Sequence, residues 1–176
     1  MRRAGWAALA LALALIGAPA DARPPEALAC ALQAAPAGLD ARVAEVIVSH
    51  DMDGGRPVLD EVRGLTDHCA ADQFLTPRQR DAYFTYVLGR MGRDALDARL
   101  AAAGVPTTLI DRTLDIGPGN ANNPAEKVTQ GDLRQMADAL AAAGYAPATM
   151  TADGWALISA WIVATANMFD GLRDLD

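Results

Sequence analysis

Aromatic residues are scarce in this chain. Three Trp, three Tyr and three Phe make up 5% of 176 positions. Proteins that hold single strands stack bases on aromatic platforms along a basic groove, and no basic run is present either. Lys and Arg number 15 against 22 Asp and Glu, a formal charge of −7. An acidic chain repels phosphate backbones, which argues against a nucleic-acid partner.

Chemistry-bearing residues are equally thin. The chain has two histidines, His50 and His68, and two cysteines, Cys30 and Cys69. It contains no Gly-x-Ser-x-Gly, Ser-x-x-Lys or His-Glu-x-x-His, the arrangements that activate a serine or hold a catalytic zinc. The cysteines are not spaced Cys-x-x-Cys, so disulfide exchange and covalent haem have no support. Asp60-Glu61 and Asp94/Asp97 could pair for glycoside hydrolysis, but acids on amphipathic helices are ordinarily the solvated face. No cofactor is implied, and the balance lies against an enzyme.

One cluster keeps an enzymatic alternative open. His50, Asp51 and Asp53 could bind a divalent metal or form a base with its orienting carboxylate, giving a hydrolase-like or metal-dependent site. The bland reading places His50 at a helix C-terminus, facing the last carbonyls. Asp51 to Gly55 resembles half a calcium loop. The position needing glycine is Arg56, however, and the twelfth is Val62 rather than a bidentate Glu. Asp115 does have Glu126 eleven residues on, but Gly117 and Gly119 occupy the positions between that should carry ligands.

What is present points to export and to helices. Residues 1–22 read as a cleaved secretory signal peptide. They have Arg2 and Arg3, an apolar run from Trp6 to Ile16, and small-x-small sites ending at Ala20 and Ala22. The expectation is a periplasmic or secreted domain over residues 23–176, with no stable membrane insertion after cleavage. An oxidising compartment favours a Cys30–Cys69 disulfide. Closing a loop of about 40 residues contributes roughly 4 kcal/mol in the chain-entropy model. Lipidation at Cys30 and two buried free thiols are the rivals.

Periodicity predicts an all-α single domain, a bundle or orthogonal array of about seven helices. Pro24-Pro25 opens the first helix, and Leu39, Val43, Val46 and Ile47 make the stripe of the second. The third runs from Pro57, with Val58, Val62, Leu65 and Cys69 in register. Thr76-Pro77-Arg78-Gln79 is a capping box. It opens a helix with Phe84, Val87, Leu88 and Met91 inside, Tyr83 and Tyr86 flanking, and a bend or break at Gly89 and Gly92. Helices from Arg93 to Ala103, from Pro106, and from the Thr129 cap follow. Leu96–Leu109 and Met136–Met150 share an Ala-Ala-Ala-Gly-then-Pro pattern, which reads as a duplicated hairpin or as ordinary alanine-rich helices alike.

The centre is Trp155–Phe169, uncharged and too short for a bilayer. It should be capped by Thr151 or Asp153, stopped by Gly171, and buried through its bulky arc of Trp155, Leu157, Ile158, Trp161, Ile162, Met168 and Phe169. Asp115–Thr129 is the one long aperiodic segment. By elimination it carries the expected recognition surface, through Asp115, Asn120, Asn122 and Asn123, with Tyr83 and Tyr86 as the adjoining face. The functional expectation is a non-enzymatic binding module for a protein, peptide or small ligand. Titrating the denatured, unreduced protein should find no free thiol; two free thiols would contradict the disulfide.

Overall fold

A computed structural model describes residues 25–114, 116, 128–145 and 150–175. Among these the chain is all-α, with seven helices and no strand. They are α1 (Pro25–Ala34), α2 (Leu39–Ser49), α3 (Arg56–Asp72), α4 (Pro77–Ala102), α5 (Thr107–Leu114), α6 (Gln130–Ala142) and α7 (Ala152–Leu175). The expected leader lies outside the described residues.

Local chemistry sets several boundaries. Gln79 N–H donates to Thr76 Oγ1 at 3.4 Å while Thr76 N–H donates to Gln79 Oε1 at 3.1 Å, closing the expected box at α4. At α6, Thr129 Oγ1 accepts from Gly131 and Asp132, and Asp132 returns the bond to the Thr129 N–H at 2.7 Å. Those hydrogen bonds hold the Asp132 carboxyl below the usual carboxylate range. Thr151 Oγ1 accepts from Gly154 N–H at 3.2 Å and starts α7.

Two expectations about glycine fail, for one reason. Gly89 and Gly92 do not break a helix; α4 continues through both for 26 residues. Nor does Gly171 end α7, which runs 24 residues to Leu175. All three glycines are contact points. A Cβ at Gly89 would lie 2.7 Å from the Ala164 carbonyl oxygen and collide with the Met168 backbone. A Cβ at Gly171 would lie 2.6 Å from the Ala82 carbonyl oxygen and collide with Tyr86. Gly92 leaves room for Ile47 of α2. Each glycine costs about 1 kcal/mol of helix propensity relative to alanine, offset at Gly89 and Gly171 by the backbone approach of α4 and α7 and at Gly92 by the seat for Ile47.

The two long helices are therefore antiparallel along their whole length. Gln79 Nε2 reaches the Leu175 carbonyl at 3.2 Å at one end, and Trp161 Nε1 reaches Asp97 Oδ1 at 2.8 Å towards the other. The face of α7 that this buries differs from the expected one. Ala160, Ala164, Thr165 and Gly171 are buried beside Ile158, Trp161 and Met168, while Trp155, Leu157, Ile162 and Phe169 are only half-buried. At 24 residues α7 is also long and apolar enough to cross a membrane by length and composition. In this fold it lies against α4.

The other helices dress this pair in two groups. The first half of α4 and the end of α7 share a core with α1 and α3, including Ala31, Val62, Cys69, Tyr83 and Leu175. The second half of α4 and the start of α7 share another with α5 and α6, including Leu96, Leu100, Ile110, Leu140 and Trp161. Helix α2 gives Val43 to one and Ala44 to the other. The Cys30–Cys69 disulfide, with a Cα–Cα distance of 6.0 Å, ties α1 to α3.

Three helices end in the same two-bond C-terminal motif. In α4, Gly104 N–H bonds Ala101 and Val105 N–H bonds Leu100; in α6, Gly144 N–H bonds Ala141 and Tyr145 N–H bonds Leu140. This common ending accounts for the similarity of the two alanine-rich stretches as far as Tyr145; residues 146–149 lie outside the described residues. In α3 the bonds run from Phe74 to Ala71 and from Leu75 to Ala70. The left-handed position, glycine in the other two (φ 75° and 91°), holds Phe74 at φ 54°. A bulky side chain there costs on the order of 1–2 kcal/mol.

The close approach makes a paired prediction. Gly171→Ala forces a methyl into the α4 backbone and should lower stability by about 2 kcal/mol or more. Gly64→Ala on α3 meets open space and should raise it by about 0.5–1 kcal/mol. Urea midpoints should move in opposite directions; parallel movement would refute the contact.

Candidate functional site

The residues singled out in the sequence part company here. Asp115, Asn120, Asn122 and Asn123 lie outside the described residues. Tyr83 and Tyr86 are 1% and 8% exposed, their rings stacked at 6.4 Å. Tyr83 is a tie between helices: its hydroxyl accepts from the Ala31 N–H at 3.2 Å and points back to the Ala27 carbonyl at 3.3 Å, both on α1. Burial pushes both phenols up. As placed, the two rings line no open face.

His50, Asp51 and Asp53 are adjacent in sequence but do not converge. His50 closes α2 in the left-handed conformation, φ 55°. The Asp51 carboxylate accepts from Gly54 N–H at 2.8 Å within the turn, and Asp53 meets Arg56 at 3.4 Å in water. Among the described residues no group of three His, Cys, Asp or Glu side chains is placed to hold a metal ion. His50 and Asp51 border two different hollows.

The hollow that includes His50 is the candidate site. It is lined by Val46 and Ile47 of α2, Leu59 of α3, Leu88 of α4, Val163 and Asn167 of α7, and Met52 from the α2–α3 corner. It encloses about 170 Å³. Larger hollows exist, but their walls suit a ligand less. One of about 340 Å³ is lined by Arg78, Asp81, Asp170 and Asp174, and another of the same size by the α1–α2 turn with Asp40 and Asp94. Ligand sites are mainly apolar with a few placed polar groups, which describes the His50 groove. Its imidazole and the Asn167 carboxamide supply donors and acceptors at the mouth. Met52 and Val163 are 58% and 41% exposed. The groove gathers segments as far apart as Val46 and Asn167, and only His50 of its members carried a local signal.

A second polar group is structural. Arg93 bonds Asp111 at 2.7 Å, its guanidinium lies 5.1 Å from the Trp161 ring centroid, and its Nε is buried without a hydrogen-bond partner. Asp97 accepts the Trp161 indole proton. Burial, reinforced by the charge of Asp97, pushes the Asp111 carboxyl above its usual range despite Arg93. Arg93 and Trp161 thus trade a solvated cation for a cation–π contact, worth about 0.5–2 kcal/mol.

No protein-family model, curated protein or solved structure matches the chain.

The Asp111 shift has a sign that can be checked. A carboxyl whose folded value is raised holds its proton more tightly when folded. Its contribution is full below the unfolded value and is lost as pH rises through the folded one. Asp111→Asn removes that loss. Relative to the parent, the variant should gain stability between about pH 4 and pH 7, by under roughly 1 kcal/mol at this half-exposed position. Urea midpoints at the two pH values decide it; a relative loss would reverse the assignment.

Proposed function

We propose that this chain is an exported helical binding protein, without catalysis of its own. It seats an apolar group of a protein, peptide or small-molecule partner between α2, α3, α4 and α7. The observation that carries this reading is the groove: apolar walls, two polar side chains, His50 and Asn167, among its lining, and two large apolar side chains left in water at its rim. Leaving such side chains exposed at a concave site is what a covered surface requires. A volume of about 170 Å³ suits one anchor group rather than a drug-sized ligand, since a cavity of roughly 150 Å³ takes up benzene. Export to the periplasm or beyond draws support from the leader-like residues 1–22 and from the disulfide, which persists in oxidising compartments. The acidic charge leaves nucleic acid out of the partner list.

Indole is a direct probe. Methyl NMR spectra recorded during an indole titration should show saturable shifts at Leu59, Leu88, Val163 and Met52, with millimolar affinity expected of so small a ligand. Val163→Asp should abolish them. Shifts that do not saturate, or that centre on Leu32 and Met91 at the other end of α2, would overturn the assignment.

A further inference from the structure

Three large apolar side chains are strongly exposed among the described residues: Met52, Val163 and Phe74. Two of them rim the groove, and the third lies elsewhere. Phe74 is 91% exposed and occupies the left-handed position that the matching ends of α4 and α6 give to Gly104 and Gly144. Strain and solvent both oppose a phenylalanine there, and strained positions that persist are candidates for function. The ring stands out from the turn between α3 and α4, 91% exposed, with none of the described residues over it.

We infer that Phe74 of one copy docks in the Val46–Leu88–Val163 groove of a second copy. The inference rests on the groove reading above and names its occupant. Size agrees: a phenyl ring is benzene-sized, and the groove holds about 170 Å³. Charge agrees as well. Arg78 and Arg80 beside the knob are exposed; of the acids on either side, Asp81 pairs with Arg63 at 3.0 Å and Asp72 stands by His68 at 3.9 Å. The groove's corner carries the exposed Asp51 and Asp60, with Asp53 taken up by Arg56 at 3.4 Å. Across the contact Arg78 and Arg80 can meet Asp51 and Asp60, which favours encounter and orientation. The contact must be made in trans. Leu59 in the groove and Asp72 beside Phe74 lie about 20 Å apart along α3. Knob and groove are different surfaces, so the contact is head-to-tail and repeats as a chain or ring instead of closing as a symmetric dimer. With a single anchor the association is weak and concentration-dependent.

Sedimentation velocity of the purified protein, of Phe74→Gly, of Val163→Asp and of their equimolar mixture tests this. Phe74→Gly keeps the groove, and glycine suits the turn, so its Tm should not fall. Val163→Asp keeps the knob and alters a 41%-exposed position. The parent should sediment faster with concentration, past the dimer. Each variant alone should remain monomeric, and the mixture should form a one-to-one dimer that grows no further. Indole should dissociate the parent assembly. A parent that stays monomeric while indole still shifts the groove methyls would overturn self-docking and leave the groove reading intact. A mixture that stays monomeric while the parent associates would place the interface elsewhere.

Discussion

Antiparallel helices approach until their backbones touch only where Cβ atoms are absent. Gly89 faces Ala164 and Met168, and Gly171 faces Ala82 and Tyr86. The two positions lie on different helices about one and a half turns apart, so each backbone enters the other's gap. Such an approach fixes the register of α4 against α7, because sliding by a turn would drive side chains into carbonyls. Both cores hang on that register. So does the Trp161–Asp97 hydrogen bond, which would otherwise leave a buried indole donor unpaired at a cost of about 1–3 kcal/mol.

The groove is a consequence of the same geometry. Gly92 lets Ile47 of α2 sit against α4, which brings the end of α2 close to α7. There α2 stops at His50 and turns through Asp51–Gly55, and Gly55 lies so close to the Val46 side chain that a Cβ could not fit. The turn brings Met52 to the hollow, which Leu59 of α3 also lines. A concavity on rigid helices is the kind of place where recognition is built. Phe74 lies at the far end of α3, in a turn whose hydrogen bonds are satisfied, and its exposed ring owes nothing to that turn's stability.

Local signals are legible. The capping box at Thr76, the cap at Thr129, the start of α7 at Thr151 or Asp153, the α2 stripe, and the cysteine on the buried face of α3 depend on neighbours three or four residues away. The glycines were misread because propensity is a local quantity, while the reason for Gly89, Gly92 and Gly171 is another helix. The same blindness assigned Trp155, Leu157 and Phe169 to the centre ahead of Ala164, since bulk on a wheel says nothing about which side a partner backbone will press. Tyr83 and Tyr86 look like flanks because a wheel cannot show α1 bonded to the first or α7 pressed against the second. The site was the least legible part. Val46, Leu59, Leu88 and Val163 are ordinary stripe residues until the corner at Met52 leaves them incompletely covered.

The central claim is that α4 is unbroken and, with α7, forms the last structure to open. Native-state hydrogen exchange in low denaturant measures this directly. Amides from Leu88 to Arg93, and those of α7 from Ala164 to Leu172, should exchange only through global unfolding, with the full denaturant dependence of the whole protein. Those of α5 and α6 should open at lower free energy. Fast exchange at Gly89–Arg93, with the two halves of α4 opening separately, would contradict the account.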